Sequence, residues 1–239
     1  RGMRVRGDWK PVLSGRWLSA FDKACSVHGF RLGRVPGPPA GASLFVGIDH
    51  GAGIGKQAAA LVAVHQVDTL APRVWVLDCH VAHGYTTPEQ DADAIADMLT
   101  RWDLTYDDVD QWVGDRSTNA NHYEIKKGNA QLRTFLAARY RIPKGKTKWI
   151  HTPRKWSGSV RHGFRLLNAI MARRDDKHEE LSHFVVHPRA AVFATACQEW
   201  SGRRDDAKKD ILDGVRYAVE RAVRLGDWSR NLSTAAIYA

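Results

Sequence analysis

Three strand-like segments follow one another closely between residues 44 and 81, and this order constrains the fold more than any other feature of the chain. The segments are Leu44 to Ile48, Ala58 to Val67 and Val74 to Val81. They are rich in β-branched and apolar residues and are close enough in sequence to pair as neighbours. The sequence therefore predicts a three-strand antiparallel meander at the start of the globular region.

Helices and strands alternate after the meander. Thr87 as N-cap, Pro88 at the first helical position and Gln90 in a capping box predict a helix, and its apolar face is Ala92, Ile95, Ala96, Leu99 and Trp102. The later predicted elements are strands at Gln111 to Asp115 and Lys148 to His151, helices at Ala130 to Tyr140, Val160 to Arg173, Arg189 to Trp200 and Lys208 to Val223, and a short extended piece, "HFVVHP". This order is that of the RNase H-like fold, an α/β fold with a mixed five-stranded sheet, in which parallel strands extend an antiparallel meander and helices cover both faces.

The segment "RVPGPPAGAS", residues 34–43, predicts a connector, because its prolines and glycines do not sustain a helix or a central strand. We therefore expect a boundary near residue 42, with residues 1–42 as a linker and residues 43–228 as the folded domain. Residues 229–239 are small and polar, and we expect a flexible tail there.

The charge of the chain indicates the kind of partner, and its cysteine content indicates the cellular compartment. The chain has 36 Lys and Arg against 26 Asp and Glu, a net charge of +10, which favours a polyanion bound with strong salt dependence. Three distant cysteines suggest neither a disulfide framework nor a zinc knuckle, which favours a reducing cytoplasm. No apolar run approaches the roughly 20 residues of a membrane span. We expect a soluble protein with no membrane partner.

The glycine-rich stretch after the first strand, "LFVGIDHGAGIGKQAAALV", does not fit a nucleotide-phosphate loop. Three residues instead of four separate Gly51 from Gly55, and Gln57 stands where a hydroxyl would bind Mg²⁺. The spacing of a dinucleotide fingerprint is also missing. An actin-like ATP-binding kinase remains an alternative, because Asp49 to Gly51 with Lys56 resembles its first phosphate turn, although no second such turn is evident.

Four aspartates form the alternative site. Asp49 and Asp115 each end a predicted strand, and Asp210 and Asp213 lie three residues apart at the start of the last helix. Each alone fits a turn or a helix cap, but the predicted sheet would bring all of them to one edge. With no lysine between them they would repel one another unless a divalent cation were present, and oxygen ligands favour Mg²⁺ or Mn²⁺. Two such ions about 4 Å apart can activate a water molecule and stabilise the leaving oxygen in phosphodiester hydrolysis.

The chain resembles the nuclease domain of the large terminase subunit of tailed bacteriophages. The resemblance rests on "FVGIDHG", on "WVGDRST" and above all on "KKDILDGVRYAVE", in which Gly214 stands where the family has alanine. "VRGDW" near the start is similar to the segment that often follows the family's motor domain. The resemblance covers residues 44 to about 224.

The resemblance implies a metal-dependent endonuclease that cuts concatemeric double-stranded DNA in the cytoplasm of the host cell. Asp49, Asp115 and Asp213 would be catalytic and would bind two divalent cations, Mg²⁺ or Mn²⁺, with Asp210 as an auxiliary metal ligand. The partners would be the terminase ATPase domain, the small terminase subunit and the portal. Since the chain has no Walker motif, we expect a carboxyl-terminal fragment in which residues 1–42 follow the missing motor domain.

Basic residues near the predicted site are expected to contact DNA phosphates, and they are Lys56, Arg116, Lys126, Lys127, Arg154, Lys155, Arg161 and Lys208. No histidine pair has metal-binding spacing, although His50 is a candidate ligand or proton shuttle. The tryptophans at 75, 112, 149 and 200 are expected in the core.

Two alternatives to the terminase nuclease remain among DNA-binding proteins. They are a Holliday-junction resolvase of the same fold and an inert DNA-binding module.

Overall fold

The computed structural model describes residues 17–50, 57–66, 72–84, 86–115, 128–143, 145–154, 156–175, 178–202 and 208–225. In chain order the elements are α1 (Lys23–Ser26), β1 (Ser43–Asp49), β2 (Ala58–His65), β3 (Arg73–Val81), α2 (Pro88–Thr100), β4 (Gln111–Gly114), α3 (Gly128–Arg139), β5 (Ile150–His151), α4 (Ser159–Met171), β6 (Phe184–Val186), a 3₁₀ turn (Pro188–Ala190), α5 (Ala191–Glu199) and α6 (Lys208–Leu225).

The strands form one mixed sheet in the order β5-β4-β1-β2-β3-β6. The meander β1-β2-β3 is antiparallel, and β4 and β5 extend it in parallel beside β1. This arrangement confirms the predicted RNase H-like fold. The prediction of five strands was wrong, because "HFVVHP" contributes a sixth strand, β6, which pairs in parallel with β3 through Val74 and Phe184.

A local sequence signal determines the start of α2. The Thr87 hydroxyl accepts from the Gln90 backbone at 3.3 Å, and the Gln90 side chain accepts from the Thr87 backbone at 2.9 Å, which confirms the predicted capping box. The predicted helix Arg189 to Trp200 instead begins as the 3₁₀ turn and continues as α5. The second strand ends at His65, before the predicted Val67, which lies outside the described residues.

The two faces of the sheet carry separate apolar cores. Helices α4, α5 and α6 cover one face, on which Phe45 of β1 lies, and α2 and α3 cover the other, on which Val46 and Ile48 lie. Of the four tryptophans predicted in the core, three are buried. Trp149 is 64% exposed, because it precedes the short edge strand β5, and the Arg133 guanidinium stacks 4.2 Å from its ring centroid.

The described part of the expected linker packs on the domain. Leu18 and Phe21 are buried in the α4–α6 core, and Val27 forms a parallel bridge with Val186 of β6. The division of the chain at residue 42 stays a prediction, and residues 1–16 and 226–239 lie outside the described residues. Within the described ranges, no helix has the length and apolar character that a membrane span requires.

Helix α6 crosses β1 with the two backbones in direct contact. A Cβ atom on Gly47 would lie 1.9 Å from the Gly214 carbonyl oxygen, and the third-nearest atom would be the Ala218 Cβ. A Cβ atom on Gly214 would lie 3.1 Å from the Gly47 carbonyl oxygen, which is tight but not impossible. Both glycines therefore permit the approach of α6, and Gly47 is the stricter requirement.

We predict that Gly47→Ala lowers the free energy of unfolding by about 3 kcal/mol, because overpacking against rigid backbone forces α6 away from the sheet. Gly214→Ala is the matched control and should change it by less than about 1 kcal/mol, since the helix propensity of alanine offsets the tight contact. Urea denaturation at constant m value measures both. A Gly47→Ala protein as stable as the unaltered one would contradict the described helix–strand contact.

Candidate active site

Asp49 and Asp115 meet at the carboxyl edge of two parallel neighbouring strands. Asp49 is the last residue of β1, and Asp115 directly follows β4. Ile48 pairs with Gly114, and the backbone N–H of Asp115 donates to the Ile48 carbonyl at 3.1 Å. Because side chains alternate along a strand, Asp49 shares the α6 face of β1 with Gly47.

Asp115 faces the same helix. The Tyr217 hydroxyl of α6 donates to Asp115 Oδ2 at 3.2 Å. Burial raises the pKa of Tyr217 and the nearby carboxylates of Asp213 and Asp49 raise it further, so the phenol keeps its proton and remains a donor. The structure thus brings both strand-end acids close to the amino-terminal half of α6.

Asp210 and Asp213 approach this edge from α6. Asp210 is in the first turn of the helix, and Asp213 is 1% exposed and adjacent to Gly214, the residue at which α6 touches β1. The predicted apolar stripe of α6 is confirmed, since its five residues, Ile211, Val215, Ala218, Val219 and Ala222, are all buried. The opposite side of the helix is also buried, which its polar sequence did not predict.

A lysine lies among the acids. The Lys209 ammonium donates to Asp213 Oδ2. Burial opposes the charged form of Lys209, but attraction to Asp213, Asp49 and Asp210 outweighs burial and raises the pKa of the ammonium. The expectation of no lysine between the acids was therefore wrong. Lys209 stands four residues before Asp213, a spacing that places both on one side of a helix and was visible in the sequence.

An arginine fixes the other oxygen of Asp213. Nε and Nη2 of Arg216 each donate to Asp213 Oδ1 at 2.9 Å, and Nη1 donates to Glu220 Oε1 at 3.0 Å. Burial opposes the charge on Arg216, yet the carboxylates of Asp213 and Glu220 outweigh burial and raise the pKa of the guanidinium. Burial also raises the pKa of Glu220, and Arg216 partly opposes that shift.

These contacts hold the Asp213 carboxylate in one orientation, with a cation at each oxygen. Removing one partner of such a buried pair typically costs about 3–5 kcal/mol, because the other charge is left uncompensated. Arg216 and Tyr217 stand within the motif "KKDILDGVRYAVE", but no role was predicted for either residue. They follow Asp213 by three and four residues, which places them on its side of the helix, and this spacing is the signal by which the sequence could have identified them.

The donor set fits a divalent cation in its chemistry. Its four carboxylates supply the hard oxygen atoms that Mg²⁺ and Mn²⁺ prefer, and Lys209 already provides a positive charge in their midst. Among the described residues, however, no group of three or more His, Cys, Asp or Glu side chains is arranged to hold a metal ion. The assignment of Asp49, Asp115, Asp210 and Asp213 as metal ligands stays a prediction.

His50 lies on the opposite face of the sheet from the acids. It follows Asp49 and therefore points towards α3, where its Nε2 contacts the Asn129 side chain. Burial lowers the pKa of His50, although the Asn129 hydrogen bond and the Asp91 and Asp115 carboxylates oppose that shift. The structure does not bring His50 into the group formed by the acids and Lys209.

Three of the basic residues predicted to contact DNA, Arg154, Arg161 and Lys208, are among the described residues. Arg154 and Arg161 are exposed; Arg154 follows the carboxyl end of β5, which lies at the same edge of the sheet as the acids, and Arg161 is in the first turn of α4. Lys208 begins α6 and pairs with Glu199 at 3.0 Å. The other candidates, Lys56, Arg116, Lys126, Lys127 and Lys155, lie outside the described residues, as do the flanking segments 51–56 and 116–127.

The chain is similar to two solved structures. One is the nuclease domain of the large terminase (g2p) from bacteriophage SPP1 with bound Mn, at a TM-score of 0.48 and 17% identity over 84% of this chain and 97% of that chain. The other is RuvC from Thermus thermophilus, at a TM-score of 0.38 and 14% identity over 77% of this chain and 97% of that chain. No protein-family model matches the chain, and no curated sequence matches it significantly.

Proposed function

We propose that the chain is a divalent-metal-dependent DNA endonuclease, the nuclease domain of a viral DNA-packaging terminase large subunit that cuts concatemeric double-stranded DNA. One observation carries the proposal. The strand-end aspartates of two neighbouring strands lie on the α6 face of the sheet, Asp115 against Tyr217, and the carboxylates of Asp49, Asp210 and Asp213 all act on the ammonium of Lys209. Carboxylates that converge on one buried cation supply the oxygen ligands and the negative charge that cation-dependent chemistry needs.

Asp49, Asp115 and Asp213 would hold two divalent cations, Mg²⁺ or Mn²⁺, with Asp210 as an auxiliary ligand. Bound there, such ions would activate a water molecule for attack on phosphorus and stabilise the leaving oxygen. The surrounding residues prepare the ligands: Tyr217 orients Asp115, and Arg216 orients Asp213. Lys209 offsets part of the negative charge of the acids, and a bound divalent cation would take over that role.

The positive net charge of the chain favours DNA as the substrate. A net charge of +10 favours a polyanion, and the acids would bind a phosphodiester only when cations offset their charge. Cutting without base recognition fits this arrangement, since phosphate contacts position DNA but carry no sequence information. The motif "KKDILDGVRYAVE" supports the terminase assignment over other nucleases of the fold.

The function is tested by incubating supercoiled plasmid with the protein and Mg²⁺ or Mn²⁺. Asp49→Asn and Asp213→Asn should lower the cleavage rate at least about hundredfold, because the charge stabilisation that metal ions supply is worth several kcal/mol. Asp78→Asn is the matched control, since Asp78 is a buried aspartate of the same sheet that pairs with Arg101 at 2.9 Å. It should retain cleavage.

Intact plasmid under all conditions would overturn the proposal. Tight DNA binding without cleavage would then favour an inert DNA-binding module, and thermal stabilisation by ATP would favour the actin-like kinase. Cleavage confined to four-way junctions, with linear duplex spared, would favour a resolvase. Metal-dependent cleavage of linear concatemers supports the terminase role.

Arg154 and Arg161 are proposed to contact DNA phosphates, together with the other basic residues named above. We predict that Arg154→Glu and Arg161→Glu weaken binding of duplex DNA and lessen the slope of log K against log salt by about 0.9 for each phosphate that the variant no longer neutralises. Arg173→Glu is the control, because Arg173 is exposed beyond the other end of α4. Fluorescence anisotropy between low and moderate salt measures the slopes, and an unchanged slope in both variants would contradict the assignment.

A further inference from the structure

A single amide side chain joins the two strand ends that carry Asp49 and Asp115. Asn129, in the first turn of α3, donates from Nδ2 to the Gly114 carbonyl at 3.0 Å, and its Oδ1 contacts Nε2 of His50. Gly114 directly precedes Asp115, and His50 directly follows Asp49. Asn129 therefore connects the residues next to both acids.

The direction of each hydrogen bond follows from the donors available. Because the Asn129 nitrogen donates to a carbonyl, the group that meets His50 is the amide oxygen, which only accepts. Nε2 of His50 must then carry the proton and donate.

Gly114 and Gly128 leave room for α3 to pack against the two strand ends. A Cβ atom on Gly114 would lie 2.3 Å from Asn129 Oδ1 and 2.9 Å from Cγ2 of Ile150, so a side chain at this position would displace the amide. A Cβ atom on Gly128 would lie 3.5 Å from the His50 ring, which is ordinary contact distance. The first turn of α3 thus packs directly against both strand ends.

The contact lies on the other face of the sheet from the acids. Side chains alternate along a strand, so Asp49 and Asp115 point to α6 while His50 points to α3, where the Gly114 position faces Asn129. Asn129 and the His50 side chain consequently lie on the face of the sheet opposite to the acids. What they determine is the relative position of the two strand ends.

We propose that Asn129 and His50 are positioning residues that set the separation of Asp49 and Asp115 and so determine the affinity of the site for divalent cations. This inference rests on the metal-binding role in the proposed function. The parallel pairing of β1 with β4 ends at Ile48 and Gly114, and the Asp115 N–H bond to Ile48 is the last backbone link among the described residues. Beyond it, the Asn129 amide is the side-chain contact that connects the strand ends on the α3 face.

The test is Mn²⁺ binding measured by isothermal titration calorimetry without DNA. His50→Met and Asn129→Leu should each raise the Mn²⁺ Kd about tenfold or more, the usual effect of removing a residue that orients metal ligands. His50→Gln places an amide N–H near the position of Nε2 and should restore an affinity close to that of the unaltered protein. His80→Met is the matched control: His80 is a half-buried histidine of β3 near Asp91 on the same face of the sheet, and it should leave Mn²⁺ affinity unchanged.

Thermal unfolding of every variant separates positioning from simple stabilisation. A His50→Met protein with a lower Tm and unchanged Mn²⁺ affinity would overturn the inference. If Asn129→Leu does not fold, the comparison of His50→Met with His50→Gln decides. Mn²⁺ binding that depends on His50 in a protein without cleavage activity would support the inference and overturn only the nuclease proposal, whereas an unaltered protein that binds no Mn²⁺ would overturn both.

Discussion

The contact between Gly47 and Gly214 determines how closely the acidic residues of the candidate site can approach one another. It lets the backbone of α6 lie directly on β1, and the residue before Gly214 is Asp213, whereas Asp49 lies two residues beyond Gly47 on the same face of β1. Bulkier residues would separate helix and strand, and with them the acids that each one carries. The absence of a side chain at Gly47 above all thus sets how close the acids of helix and strand can lie.

The close approach concentrates negative charge in a buried place, and two cations from the same helix offset part of it. Lys209 pairs with one oxygen of Asp213, and Arg216 pairs with the other. Arg216 also connects to Glu220, one turn deeper, so a row of alternating charges runs along α6. Arg216 is enclosed and structural. Lys209, at the beginning of the helix, is the less buried of the two cations.

The fold was predictable because its signals are local. Strand spacing, the Thr87 capping box and the apolar stripe of α6 each depend on residues a few positions apart. The three-residue strand β6 is too short to show a period, and Trp149 is exposed because of its place beside an edge strand rather than because of its type. The position of Asp49 and Asp115 at one edge of the sheet followed from the predicted order of the strands. Lys209 was visible by spacing, but the contact of His50 with Asn129 joins residues 79 positions apart and leaves no local pattern.

If the proposed function is correct, a divalent cation replaces the Lys209 ammonium among the four aspartates. The decisive measurement is a crystal structure of the protein soaked in Mn²⁺, with anomalous difference maps. We expect anomalous density bounded by Asp49, Asp115 and Asp213, with the Lys209 ammonium withdrawn from Asp213 while Arg216 stays in place. A structure at saturating Mn²⁺ with no anomalous density at this edge of the sheet, and with Lys209 still paired to Asp213, would contradict the proposed metal site.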